Sequence, residues 1–426
     1  MVAYVRPFAL DRRICLASDL IRNMFVAGHE VDLLQGSQEF FPALVQAIDH
    51  SVQEVRLETY IFSVTASGAL VAEALERAAQ RGVKVFVVMD GAGTDSLDPQ
   101  WASRFLAAGV AWRIFSPLGR TGYLIPSRWR RLHRKLCVID GRVAFCGGIN
   151  VLDDFYDPNH GSLTAPRFDF AVRVTGPLVE SAHAALVQFW WRLQATRIVR
   201  QGDLAAAWQA LHEANKAEPD DAPDANHVSA ASAIAQTRAA LILRDNLRHR
   251  TRIERAYRQA IGEAQHDIII ANAYFLPGRK IRKGLVHAAQ RGVRVRLLLQ
   301  GRYEYFMQFH AARRVYGELL AAGVEITEYH LSFLHAKVAV IDGHWATVGS
   351  SNLDPLSLLL AREANVVVED VAFAQNLLAR LEHAIQVAGT RVDPADYANR
   401  PFIQRLLDRA AYVVMRVLLF VYGKRY

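Results

Sequence analysis

Ala78-Ala79-Gln80-Arg81-Gly82-Val83-Lys84-Val85 returns almost unchanged as Ala288-Ala289-Gln290-Arg291-Gly292-Val293-Arg294-Val295, each copy followed by an apolar run and then a glycine. Other blocks recur in the same order: Leu106-Ala107-Ala108-Gly109-Val110 with Leu320-Ala321-Ala322-Gly323-Val324, and Leu57-Glu58-Thr59-Tyr60 with Ala271-Asn272-Ala273-Tyr274. Collinear recurrence means a duplicated chain. Each copy predicts a helix (69–80 and 279–290) that stops at a glycine, then a strand (83–89 and 293–299). Helix and strand alternate, the mark of an α/β fold, and the strands are apolar nearly throughout, as strands covered on both faces are. The expected fold is two duplicated α/β halves packed as a pseudo-dimer, the first over 28–200 and the second over 237–392. The acidic, Pro- and Ala/Ser-rich stretch within 201–236 reads as a linker or surface loop, because it has too little apolar surface to bury.

Composition narrows the partners. With 50 Lys+Arg against 42 Asp+Glu in 426 residues the net charge is +8, which favours an anionic partner: nucleic acid, an acidic membrane surface or a phosphate ester. Cys15, Cys137 and Cys146 have neither the number of a disulfide framework nor the paired spacing of a zinc site, and so suggest a reducing, cytoplasm-facing location. Asp11, Arg12, Arg13, Asp19 and Arg22 interrupt every apolar run that could serve as a secretion signal. No segment reaches the roughly 18–20 uncharged apolar residues that span a bilayer, so a soluble or membrane-peripheral protein is expected.

The chemistry lies further along each copy. The first carries Leu132-His133-Arg134-Lys135-Leu136-Cys137-Val138-Ile139-Asp140-Gly141 with Gly147-Gly148-Ile149-Asn150 after it; the second carries Leu334-His335-Ala336-Lys337-Val338-Ala339-Val340-Ile341-Asp342-Gly343 with Gly349-Ser350-Ser351-Asn352. Adding 202 to 133, 135, 140 and 150 gives 335, 337, 342 and 352, so four polar residue types match in register. In extended chain, positions two apart share a face, so each histidine points with its lysine while Arg134 or Ala336 faces away. A histidine can attack phosphorus, and a lysine beside it can hold phosphoryl oxygens. A lone strand histidine is more often a group satisfied by its neighbours. Duplication in register argues against that reading here.

Two copies of His-x-Lys-x-x-x-x-Asp, each trailed by Gly-x-x-Asn, resemble the paired signature of the phospholipase D superfamily. The surroundings of the second copy, with Met89-Asp90-Gly91 and Ala271-Asn272-Ala273-Tyr274-Phe275, resemble the bacterial cardiolipin synthases of the B type within it. The resemblance runs from about Gly28 to about Val368. It implies one active site shared by both halves, in which one histidine becomes a phosphohistidine and the other protonates the leaving alcohol. It implies that Lys135, Lys337, Asn150, Asn352 and Ser350 hold the phosphoryl oxygens without a metal or other cofactor. Asp169 and Glu363 are implied to orient the histidines, a carboxylate on one ring nitrogen fixing the tautomer. The motif aspartates Asp140 and Asp342 are grouped with the catalytic set, although the glycine after each suggests a turn and a supporting role. One departure stands out: Gly148 occupies the place of Ser350.

Substrate is read from three regions. The lipid-enzyme likeness of the second motif implies transfer between two phosphatidylglycerol molecules with release of glycerol; the alternative is a hydrolase or nuclease of the same superfamily. A non-catalytic lipid-binding protein is disfavoured because both motifs are intact. The basic, aromatic stretch Arg120 to Arg131 suits an anionic lipid surface, although it could also stack on single-stranded nucleic acid, which is not the expected partner. The tail, 393–426, carries Arg405, Arg409, Tyr412 and Arg416 at helical spacing amid apolar residues, and predicts an amphipathic helix lying on anionic lipid rather than one docked on its own domain. The expected location is peripheral, on the cytoplasmic face of the cell membrane.

Overall fold

The structure, a computed structural model, describes residues 24–119, 126–216, 237–245, 249, 251–303, 306–354 and 361–421. The first half runs β1 (Glu30–Gln35), α1 (Gly36–Asp49), β2 (Glu54–Thr59), α2 (Ser67–Gln80), β3 (Lys84–Asp90), α3 (Pro99–Ala108), β4 (Ala111–Phe115), β5 (Arg131–Leu132), β6 (Lys135–Ile139), β7 (Val143–Gly147), the short ribbon β8 (Tyr156–Asp157) and β9 (Gly161–Ser162), β10 (Phe170–Thr175) and α4 (Leu178–Arg200). After α5 (Leu204–Lys216) the second half repeats the plan with β11 (Arg238–Arg244), α6 (Arg252–Glu263), β12 (Asp267–Asn272), α7 (Arg279–Gln290), β13 (Arg294–Gln300), α8 (Phe306–Ala321), β14 (Glu325–Tyr329), β15 (Lys337–Ile341), β16 (Trp345–Gly349), β17 (Ala361–Glu369) and α9 (Val371–Ala388). It ends with β18 (Gly389–Arg391), α10 (Pro394–Ala398) and α11 (Phe402–Val421).

The two sheets have matching orders, β1-β10-β7-β6-β2-β3-β4 and β11-β17-β16-β15-β12-β13-β14-β18. In each, the three strands joined through helices are parallel and the motif hairpin returns antiparallel beside the first of them. The helices that precede β3 and β13 both run into a glycine with positive φ, 89° at Gly82 and 90° at Gly292, the left-handed residue that reverses a helix into the next strand. The recurring octapeptide thus encodes a helix stop.

The halves meet through their sheets. Leu136, Val138, Val172 and Val174 of the first half share one apolar core with Val338, Val340, Val366 and Val368 of the second, while separate cores lie beneath the outer helices of each. Each motif hairpin therefore has helices on one face and the opposite half on the other, which explains its unbroken apolar pattern. Cys137 and Cys146 are buried free thiols. No helix among the described residues is long and apolar enough to cross a membrane.

Three expectations need correction. The stretch 201–236 is not all loop: Leu204–Lys216 is helical and buries Ala207, Ala210 and Ala214, because an alanine-rich segment has high helix propensity and its small side chains allow close packing; 217–236 lie outside the described residues. The block Leu57–Tyr60 is one residue out of register with Ala271–Tyr274, since Glu58 faces Leu136 while Ala271 faces the equivalent Val338. The tail helix α11 does dock on its own half, its Ala411 and Met415 entering that core. Asp408, 2% exposed, accepts hydrogen bonds there from His310 Nδ1 and Arg400 Nη1, both at 2.8 Å.

Candidate active site

Two short strands carry the histidines across the boundary between the halves. β5, just before His133, pairs in parallel with the start of β17, Leu132 opposite Arg362, and the His133 amide donates to the Arg362 carbonyl at 3.0 Å. The mirror arrangement brings Leu334 against Phe168, with the His335 amide donating to the Phe168 carbonyl at 2.9 Å. Each histidine is thus pinned to the half it does not belong to.

The consequence is a crossed pairing of acids and imidazoles. His133 Nδ1 lies 3.1 Å from Glu363 Oε2, and His335 Nδ1 lies 2.6 Å from Asp169 Oδ2. With Nδ1 taken, Nε2 of each ring remains for chemistry. Both acids and both lysines are nearly fully buried, and Lys135 Nζ donates to the His133 carbonyl at 2.7 Å, as Lys337 Nζ does to that of His335. The Tyr60 ring, 5.0 Å from the His133 ring and 5.4 Å from Lys135 Nζ, completes one wall. Sequence reading missed that tyrosine's place; its only signal was its position at the end of a repeated strand.

Burial sets the electrostatics. It lowers the pKa of both imidazoles; Glu363 partly offsets it at His133, whereas Lys337 and Lys135 reinforce it at His335, which falls well below the ordinary value. Lys135 is pushed down to about 7 by burial, and Asp169 is pushed up to about 7 by the same cause. Burial also acts to raise Glu363, but His133, Lys135 and the Ser350 hydroxyl outweigh it and hold its carboxylate below the ordinary range. The two imidazoles therefore sit in unequal surroundings, and His335 is the ring that resists protonation more.

The departure at Gly148 has a steric cause. A Cβ on Gly148 would stand 2.3 Å from Asp169 Oδ1. At the equivalent place, Ser350 Oγ donates to Glu363 Oε2 and accepts from the Ala364 amide at 3.1 Å. The shorter acid needs glycine beneath it, and the longer acid reaches past a serine.

Asn150, through Oδ1, accepts from the Ile61 amide at 3.0 Å, and Asn352 Oδ1 is buried with no hydrogen-bond partner among the described residues. Both asparagines follow their motif hairpins. Asp140 and Asp342, grouped in sequence with the catalytic residues, are not at the site. Asp140 accepts from the amides of Val52, Gln53 and Glu54 at 2.8–2.9 Å, and Asp342 from those of Gln265, His266 and Asp267 at 2.8–3.0 Å. Both have positive φ, 52° and 50°, at the far end of the hairpin strand, so each staples a loop rather than meeting substrate. Of the basic stretch, Arg120 to Ile125 lie outside the described residues, while Arg131 is committed to buried Asp90 at 2.9 Å and fixes β5.

Comparison with known proteins agrees with this geometry. The family model described as "Cardiolipin synthase, PLD-like domain" matches residues 44–163 and again 257–385. The chain is 38% identical over 368 residues to cardiolipin synthase B of Shigella flexneri, covering 86% of this chain and 83% of that one. It is 39% identical to cardiolipin synthase B of Salmonella typhi, covering 88% and 84%, and 28% identical to the probable cardiolipin synthase YwiE of Bacillus subtilis, covering 91% and 72%. In fold it is similar to a crystal structure of phosphatidylserine synthase from Haemophilus influenzae, with a TM-score of 0.66 at 13% identity, covering 96% of this chain and 99% of that one. With the duplicated sheets and the crossed histidine pairs, these likenesses place the chain in the phospholipase D superfamily of enzymes, as a member of its cardiolipin synthase B type family of phosphatidyltransferases.

Proposed function

We propose that the protein makes cardiolipin from two phosphatidylglycerol molecules at the anionic, cytoplasmic face of a membrane. Nε2 of one histidine, His133 by analogy with the N-terminal motif of relatives, attacks the phosphorus of the first lipid and the bond to its terminal glycerol breaks. The second imidazole, His335, gives its proton to the departing glycerol oxygen; Lys337 and Lys135, which oppose that proton, are offset by the negative phosphoryl group they hold. His335 then takes a proton from the free glycerol hydroxyl of the second lipid, whose oxygen attacks the phosphorus and releases His133. Lys135, Lys337, Asn150 and Asn352 hold the non-bridging oxygens, supplying the charge stabilisation for which other phosphoryl-transfer sites use a metal. The observation that carries this reading is the crossed pairing, His133 with Glu363 and His335 with Asp169, which leaves two Nε2 atoms for one phosphorus. The names of the relatives support lipid over nucleic acid.

Purified protein given phosphatidylglycerol vesicles should yield cardiolipin and glycerol in equal amounts, and EDTA should not stop it. His133→Ala and His335→Ala should each lose about 10³-fold or more in turnover, because the pair acts as a unit. Phosphatidic acid as the main product would replace the synthase with a hydrolase, cleavage of single-stranded DNA with a nuclease, and substantial activity in either alanine variant would end the shared-site mechanism.

A further inference from the structure

On the reverse side of the strands that carry the histidines lies a cavity of about 430 Å³, between α4 of the first half and β11 of the second. Arg134 stands between His133 and Lys135, and Arg362 stands beside Glu363; the alternation of extended chain sends both away from the catalytic groups and into this cavity. Arg192, Arg244 and Arg252 also line it, with the buried His29 in its wall, and among the described lining residues Asp245 is the one carboxylate. Glu58 lies behind Arg134 and is paired with it, at 2.9 Å from Nη2. Arg362 has no carboxylate within ion-pair distance among the described residues; its guanidinium stacks over the Phe189 ring at 4.6 Å. Burial and the nearby Arg134 push its pKa down to about 10. Arg362 and Arg192 are half-buried side by side with no ion pair to a carboxylate among the described residues, an arrangement that is costly unless an anion joins them.

The duplication provides a control within the same chain. The counterpart of Arg134 is Ala336, that of Arg362 is Phe168, since each bridges the strand entering the other motif, and that of Glu58 is Ala271. All three counterparts belong to the apolar core between the halves, closed by Leu377 and Leu381 of α9. The equivalent wedge also encloses a cavity, of about 530 Å³ between the end of β1 and α9 with Phe168 in its wall, but its arginines have acids: Arg380 pairs with Glu39 at 2.9 Å and Arg167 with Asp157 at 3.0 Å. The fold does not require Arg134 and Arg362.

We propose that this cavity is a second anion site, separate from the catalytic one, that takes a phosphate group, whether free or at the head of a lipid, between Arg362 and Arg192. Planar guanidinium groups suit phosphate oxygens, and the short path from Arg362 through its own backbone to His133 and Glu363 makes occupancy felt at the active site. The test is calorimetric titration of the full-length protein with inorganic phosphate at constant ionic strength. Two classes of site are expected, one catalytic and one in the cavity. Arg362→Met should weaken the second class about tenfold or more and shift the first far less. Arg192→Gln, on the flank of α4, should do the same, and it decides the matter if the variant at half-buried Arg362 fails to fold by circular dichroism. Displacement of phosphate from that class by monomeric dihexanoyl-phosphatidylglycerol would identify a lipid headgroup as the occupant, and no displacement a free phosphate. A single class of site in the wild type, isotherms of a folded variant matching the wild type, or equal heats from chloride would each overturn the proposal. Turnover on phosphatidylglycerol, measured separately, tests the catalytic reading independently.

Discussion

Gly148 and Ser350 hold equivalent places in the two motifs, and the residue each permits follows from the length of the acid above it. Gly148→Ser should push Asp169 off His335 and lower turnover by about 10²–10⁴-fold, the range for losing a positioned acid–base partner. Pairing it with Asp169→Glu should recover part of that loss, because the second half already shows serine and glutamate to be compatible. Near-normal turnover in Gly148→Ser alone would refute the steric argument. Lys135 makes a second residue-scale prediction. Its pKa of about 7 leaves it charged below that pH and neutral above. Competitive inhibition by sulfate, whose charge is constant over this range, should therefore be strongest at about pH 6 and weaken as pH rises through 7 towards about 9, where an ordinary lysine would still be charged. A flat inhibition constant over that window would show that Lys135 does not titrate there.

At the scale of elements, α11 does two jobs that a helical wheel presents as alternatives. One face docks through Asp408, Ala411 and Met415. The opposite face leaves Phe402 and Ile403 each 70% exposed, with Leu406, Val413 and Val417 also in solvent and the exposed Arg405, Arg409 and Arg416 along one border. A solvent-facing apolar strip beside a basic row has the composition that lies on anionic lipid. Deleting the helix should therefore lower the melting temperature, since it opens core surface and leaves His310 without its carboxylate. Changing Phe402, Leu406, Val413 and Val417 to serine should leave melting almost unchanged yet weaken binding to phosphatidylglycerol vesicles at least about tenfold, since each large side chain contributes about 1.5–3 kcal/mol when fully buried. Unaltered vesicle binding by the quadruple variant would remove α11 from the membrane contact.

At the scale of the whole molecule, neither half holds a complete site, because Glu363 serves the first histidine and Asp169 the second. Residues 1–216 and 237–426 expressed separately should each be inactive. Co-expressed, they should assemble through the shared apolar core and regain activity even without the intervening segment. Turnover by either half alone would contradict the crossed site.

The sequence determined much of this unaided. The recurring octapeptide placed two helix stops and two strands, and the constant offset of 202 marked His133, Lys135, His335 and Lys337 as a set, because period and spacing are local properties that survive in one dimension. Asn150 and Asn352 share that offset, whereas Ser350 stands opposite Gly148 and was reached only through the family resemblance. What one dimension lacks is which group meets which. That each acid belongs to the other half's histidine, that Asp140 and Asp342 tie loops at the far end of their strands, that Arg134 and Arg362 meet around a cavity, and that α11 is both docked and exposed were decided only when two sheets packed face to face. Contacts between residues some two hundred positions apart depend on that packing, and no local pattern carries it.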